Sequence, residues 1–285
     1  MVEFTLLGTG AGKADPTRFQ PSNLIWIDGK PAVIDCGNGS VLRMKAAHAQ
    51  ASEIQTLFLT HLHYDHYADY PMFVIEPLIG NAAFDRGHPI VYGPPGTKRL
   101  VSNFMITYDV EMDSYAGLQG YERVRDMMQA NISEIFEGWN IRLGACKIRA
   151  TMVDHGIVRL PCFAYRFDFG GKSVVFSGDT IPNDNLIALA KDADVLVHEC
   201  TLPDAEVETR KRLGLAWKIH STPRQVGEVA RKAGVKKLVL NHFAGWNAFS
   251  PGKERYEWDK IAPPLIAENF DGECIVGEDL MKVEF

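Results

Sequence analysis

The stretch HLHYDH at residues 61–66 constrains this chain more than any other feature. It directly follows TLFLT, residues 56–60, a run apolar on both faces, as a strand buried inside a layered fold must be. His61 and His63 lie two apart, so an extended backbone points both the same way. A turn after them brings Asp65 and His66 to the same cavity. Three imidazoles and one carboxylate within six residues form a donor set suited to Zn²⁺, Mn²⁺ or Fe. Strand ends are also where α/β proteins place their sites.

The rest of the chain alternates short apolar runs with helical patterns. Residues 3–8, 23–28 and 32–37 read as strands, followed by helices at 41–50 and 68–79. Strands resume at 147–153, 163–169 and 173–179, the last two joined as a hairpin by Gly170-Gly171. A helix at 185–191, a strand at 194–199 and a helix at 223–233 come next. Ser221-Thr222-Pro223 opens that helix with a hydroxyl cap and a first-turn proline. A strand at 236–242, a helix at 260–269 and two short strands close the chain. This order predicts an α/β four-layer αββα sandwich, two mixed β-sheets flanked by helices. The expected organisation is one domain over 1–285 with a helical insertion at about 80–137. That insertion opens with PIVYGPPG and carries helical patterns at 98–108 and 121–130, rich in Met, Tyr and Phe. It is expected to cover the site or to form a homodimer contact.

Composition narrows the partners. The net charge is −6 and no basic run stands out, so no stable nucleic-acid partner is expected. A small anionic ester is compatible, because a metal site supplies its own positive charge. Five scattered cysteines without CxxC fit the reduced thiols of a cytoplasmic protein. The first residues enter a strand with no signal-peptide features, and no apolar run reaches membrane-spanning length.

HxHxDH resembles the signature of the metallo-β-lactamase superfamily. The family's other positions follow in order: His155 in VDHG, Asp179 in SGDT and His242 in LNHF, each at a strand end. The resemblance implies two divalent metal ions, zinc foremost, with manganese or iron also suited. It implies His61, His63 and His155 around the first, Asp65, His66 and His242 around the second, and Asp179 bridging them.

LLGTG, RFQPSN, SGDT, HECT and IHSTP are similar to the ribonuclease Z-like branch. DHGIVRLPCFAYRFDFGGKSVVFSGDT is most similar to its arylsulfatase and phosphodiesterase-like members. This implies that Glu199 and His220 protonate the leaving group, which with Asp65 makes the expected catalytic set. Ribonuclease Z carries a long arm between the third-ligand histidine and the bridging aspartate. Here residues 155–179 hold only a compact hairpin, so transfer-RNA processing is not expected.

The function so implied is a binuclear metal-dependent hydrolase cleaving small phosphodiester or sulfate esters through a metal-bridging hydroxide. Lactone or β-lactam hydrolysis on the same site is the first alternative, and an RNA-processing nuclease the second. Asp35 is expected to hold the outer nitrogen of a ligand imidazole, and Asp154 is a further candidate for such a role. Phe104, Tyr108, Tyr115, Phe243, Trp246 and Phe249 are candidate pocket-lining aromatics. His48, His88 and His198 are not expected as ligands. The GTGAG loop lacks the apolar helix that a dinucleotide site requires.

Overall fold

A computed structural model of the chain describes residues 3–79, 87–247, 249 and 254–285. Its first half runs β1 (Glu3–Gly8), β2 (Ser22–Ile27), β3 (Lys30–Ile34), α1 (Ser40–Ala46), β4 (Thr56–Phe58) and α2 (Tyr70–Ile79). It continues with β5 (Ile90–Gly93), α3 (Thr97–Thr107), α4 (Asp109–Gln119), α5 (Tyr121–Met127) and β6 (Asn131–Glu134). The second half holds β7 (Asn140–Leu143), β8 (Cys146–Val153), β9 (Cys162–Phe169), β10 (Lys172–Phe176), α6 (Asp184–Leu189) and β11 (Val195–Glu199). It closes with α7 (Val207–Arg212), α8 (Pro223–Ala233), β12 (Lys237–Asn241), α9 (Trp258–Ile266), β13 (Glu273–Val276) and β14 (Met281–Glu284).

The strands form two seven-stranded sheets, ordered β14-β1-β2-β3-β4-β5-β6 and β7-β8-β9-β10-β11-β12-β13. In each, the first four strands pair antiparallel and the fourth to the seventh pair parallel. The two sheets therefore share one topology, used twice. β14 returns from the end of the chain to occupy in the first sheet the place β7 holds in the second.

Three apolar layers separate the four structural ones. Phe4, Phe58, Tyr165, Phe167, Val195 and Val197 fill the space between the sheets. Leu196, on the other face of β11, packs outward with Val226 and Ala230 of α8. That alternation is the period-two pleat of a strand buried on both sides. On the far face of the first sheet, Leu57 and Val91 meet Met44 of α1 and Phe73 of α2. This is the αββα sandwich that the order of elements predicts.

Within the segment read as an insertion, residues 80–86 lie outside the described residues. The remainder extends the first sheet by β5 and β6 and sends α3, α4 and α5 over its outer face. Val101, Phe104, Met112, Val124 and Met128 are buried there. These apolar residues pack on the chain's own core, while Ile106 and Val110 of the same segment are exposed. No helix among the described residues is long and apolar enough to cross a membrane. All five cysteines are free.

The topology gathers chemistry at one edge. Asp35 follows β3, His61 follows β4, His155 follows β8, Asp179 follows β10, Glu199 ends β11 and His242 follows β12. These strands point the same way, so their carboxyl ends open on one crevice between the sheets.

Candidate metal centre

The seven metal-ligand candidates converge. Ligand atoms of His61, His63, His155 and Asp179 lie within 4.8 Å of one another, and so do those of Asp65, His66 and His242. Asp179 reaches both groups. Its Oδ2 is 3.7 Å from Nε2 of His61 and of His155 and 3.3 Å from Nε2 of His242, and its Oδ1 is 3.6 Å from His66 Nε2. His61 Nε2 and His63 Nδ1 are 3.0 Å apart, His66 Nε2 and His242 Nε2 3.3 Å, and His242 Nε2 and Asp65 Oδ2 3.3 Å. Ligands at about 2.1 Å from a tetrahedral ion stand roughly 3.4 Å from each other. The donor set is spaced as a metal shell is spaced.

The outer nitrogens settle the tautomers. His155 Nδ1 lies 2.6 Å from the Ile219 carbonyl oxygen, which can only accept, so Nδ1 carries the proton. His66 Nδ1 donates to Asp35 Oδ2 at 2.8 Å. The Thr201 hydroxyl donates to the His242 carbonyl at 2.6 Å, so its oxygen accepts from His242 Nδ1 at 2.8 Å. The Thr60 hydroxyl is likewise committed to Asp35, so its oxygen accepts from His61 Nδ1 at 3.1 Å. The Nε2 atoms of four imidazoles therefore turn inward, onto two buried carboxylates. Imidazole nitrogens and carboxylates gathered this closely in a buried site form a donor set able to hold a cation.

Proton affinities carry the same mark. Burial, aided by neighbouring imidazoles, holds His61 well below the usual histidine value and also lowers His63 and His155. These rings are neutral and ready to ligate. Burial pulls His66 down too, but Asp35, Asp179 and Asp65 outweigh it and hold it well above. For Asp65 burial works upward, and His66 and His242 overcome it, bringing its carboxyl to about 2. Asp179 is held well below the carboxylate range by the same two imidazoles against its burial.

Sequence reasoning placed Asp35 correctly as a holder of a ligand imidazole. Its carboxylate also takes the Thr60 amide at 2.8 Å, from a left-handed backbone at φ 61°. Asp154 does a different job: it accepts from the Gly156 amide at 2.8 Å and shapes the turn after His155. Of the candidate aromatics, Trp246 lines the cavity over the centre, whereas Phe104 and Phe243 are buried in the core. His88 pairs with Asp126 and His48 is exposed. His198 is buried away from the centre, with Nδ1 on the Glu199 carbonyl.

Glu199 and His220 meet at the rim. His220 Nδ1 is 3.3 Å from Glu199 Oε1 and 3.9 Å from Asp179 Oδ2. Three backbone amides, of Thr180, Thr201 and Ser221, also donate to the Glu199 carboxylate. Burial lowers His220, and Glu199 more than compensates, leaving it above the usual value; Glu199 is lowered in turn by His220 against its own burial. The pair thus favours the charged form of each partner, imidazolium beside carboxylate. His220 also falls within reach of Asp179 and His242 as a third ligand group, which the sequence did not reveal.

The cavity over the centre holds about 410 Å³ and is lined by His63, Asp65, Asp179, His220 and His242. Lys13, Tyr64, Arg210 and Trp246 also line it.

The description "Beta-lactamase superfamily domain" matches residues 32–243, which span this whole ligand set. The chain belongs to the metallo-β-lactamase superfamily. It is a metal-dependent hydrolase with a His/Asp cluster able to hold divalent metal. Ribonuclease Z of Mycolicibacterium gilvum is 33% identical over 285 residues, covering 100% of this chain and 96% of the relative. Ribonuclease Z of Mycobacterium bovis is 34% identical over 292 residues, covering 100% and 98%. Human tRNase Z, short form, shares the fold at a TM-score of 0.73 and 22% identity, over 99% of this chain and 98% of that one.

These relatives overturn the expectation that no nucleic acid is a partner of a chain like this one. Two inferences failed. Alignments of 285 and 292 positions leave no room in the relatives for a long arm that this chain lacks. A net charge is also a whole-chain sum and says nothing of the rim of a site. At that rim Arg210, Lys211 and Arg212 form the last turn of α7, and Arg210 lines the cavity.

Proposed function

We propose that this protein is a metal-dependent phosphodiesterase that cleaves RNA in the manner its Ribonuclease Z relatives are named for. The observation that carries this reading is the end-to-end likeness to those relatives at 33–34% identity. His61, His63 and His155 with Asp179 would hold one divalent ion, and Asp65, His66 and His242 with Asp179 a second. Bound there, the ions would supply Lewis acidity toward the phosphoryl oxygens and lower the pKa of water. Zinc suits this imidazole-rich set, with manganese or iron as further candidates.

The chain's own residues do the rest. Thr60, Asp35, Thr201 and the Ile219 carbonyl fix the imidazoles so that no reorganisation is needed when charge develops. His220, kept protonated by Glu199, gives its proton to the departing ribose oxygen. Glu199, fixed by three amides, stays anionic and steadies the imidazolium. We treat the chain as one domain over 1–285.

A second reading, hydrolysis of small phosphodiester or sulfate esters, is favoured by the cavity alone, whose 410 Å³ is the size of a small-molecule site. Lactone and β-lactam cleavage has less use for a proton donor built as carefully as His220. The deciding experiment offers metal-replete protein a precursor transfer RNA, bis(4-nitrophenyl) phosphate, 4-nitrophenyl sulfate and a β-lactam. Site-specific RNA cleavage with a kcat/KM far above that for the small diester is expected. Turnover of the small esters with RNA left intact rejects the proposal in favour of the second reading.

A further inference from the structure

The segment between β11 and α8 is built unlike the rest of this acidic chain. Residues 207–218 read VETRKRLGLAWK and carry four cations against one carboxylate. α7 ends on Arg210, Lys211 and Arg212. Beyond it, Trp217 is clasped by two ammonium groups, Lys211 Nζ at 4.5 Å and Lys218 Nζ at 4.8 Å from its ring. Arg212 and Lys218 are exposed.

A second loop lies against this one. Ile157 donates its amide to the Lys218 carbonyl at 3.3 Å, and Gly156, at φ 68°, sits where a Cβ would fall 1.7 Å from that same oxygen. Arg159, two residues beyond that contact, is exposed. Among the described residues, none of Arg159, Arg212 and Lys218 has an ion-pair partner. Both loops run directly into the centre, one from His155 and the other into His220. Arg210 faces the cavity itself, held by Glu206 and the Ala216 carbonyl.

We propose that residues 207–218, with the loop at 156–159, form an RNA-docking surface continuous with the metal cleft. Arg159, Arg212 and Lys218 contact backbone phosphates, and Trp217 offers a stacking face to an unpaired base. This rests on the RNA-cleaving reading. Exposed cations without partners gain most from phosphate, because contact releases the counterions of the nucleic acid. A half-buried indole with two ammonium groups beside its ring can stack with a base while those cations neutralise its phosphates. Ile157, Leu213 and Leu215 are also exposed nearby, and with the cations they resemble a membrane-surface patch. Continuity with the cleft favours RNA, since a lipid surface has no reason to adjoin His155 and His220.

The test is the triple variant Arg159→Glu, Arg212→Glu, Lys218→Glu, none of which belongs to the catalytic machinery. Three readouts are taken: anisotropy of a fluorescein-labelled RNA hairpin with a single-stranded 3′ extension, at several salt concentrations; turnover of bis(4-nitrophenyl) phosphate; and sedimentation with phosphatidylserine vesicles. Wild-type binding should weaken steeply with salt. The variant should bind RNA at least ~10-fold more weakly at low salt, with a log–log salt slope flatter by about 2–3, since each phosphate left unneutralised removes roughly one unit of slope. Its turnover of the small diester should equal wild type, which shows that the fold and centre are intact. Trp217→Ala should weaken binding to the extended hairpin more than to a blunt one. Unchanged affinity and slope in the triple variant overturn the surface, as does a wild type that binds vesicles and not RNA. RNA bound through this strip yet never cleaved would leave the surface standing and fell the nuclease reading instead.

Discussion

Asp35 holds His66 by a 2.8 Å hydrogen bond to Nδ1 and, with the same carboxylate, takes the amide and hydroxyl of Thr60, whose oxygen receives His61. One side chain outside the ligand set thus orients an imidazole in each half of the centre.

Asp35→Asn isolates that role. Asparagine tolerates the left-handed backbone at this position, so the loop survives while the charge is lost. Metal affinity should fall by about 10–100-fold, as it does when the outer partner of a ligand histidine is removed. Calorimetric titration of metal into chelator-stripped protein reads this directly. Equal affinities in variant and wild type would show that Asp35 supports only the chain.

Protein purified without chelator should carry close to two divalent ions, by elemental analysis. Asp179→Ala removes a carboxylate that lies within reach of both ligand groups. We expect near one ion per chain, with turnover lower by several orders of magnitude. A variant that keeps two tightly held ions contradicts the bridging assignment.

The proton donor is tested by its leaving group. A general acid contributes about 10²–10⁴-fold when the departing oxygen is basic and little when it is a nitrophenolate. His220→Ala should lose that factor on RNA or an alkyl diester and far less on bis(4-nitrophenyl) phosphate. Glu199→Gln should show the same split more weakly. Because His220 also approaches Asp179 and His242, metal content is measured alongside. Equal losses on both substrates, tracking lost metal, would make His220 a ligand instead of an acid.

Gly156→Ala probes the seam between the two rim loops. The new methyl would strike the Lys218 backbone, and the left-handed φ adds strain of its own. A destabilisation of about 2 kcal/mol or more is expected, seen as a lower Tm, together with reduced turnover because His155 leans on Ile219. A variant as stable and active as wild type would mean the seam is loose.

Much of this was legible in the sequence, and for stated reasons. HLHYDH after a buried strand pointed to the cavity, and His155, Asp179 and His242 were found through the resemblance to the metallo-β-lactamase superfamily, whose positions they match in order. Ser221-Thr222-Pro223 opened α8 as read, with Thr222 and Gln225 forming its capping box. Other parts were not legible. Apolar residues at helical spacing in α3, α4 and α5 look alike whether they face a partner or their own sheet, and only β5 and β6 beside them decide it. The basic strip was hidden because TRKR at the end of a short helix is what any solvated helix end looks like. Its meaning comes from Gly156 pressing on Lys218, a contact between residues far apart in sequence. His220 as a neighbour of Asp179 and His242 depends on two strand ends and the loop before α8 meeting at once.

The twice-used sheet topology bears on how the chain matures. Strands of the first half deliver His61, His63, Asp65 and His66, and those of the second deliver His155, Asp179 and His242. Neither half alone has a full coordination sphere, and the closing contacts join residues up to 177 positions apart. Such remote pairings form late in folding, after the loop entropy has been met. A half-folded chain therefore offers only part of either ligand group, and the complete donor set exists only once the two sheets have docked in register.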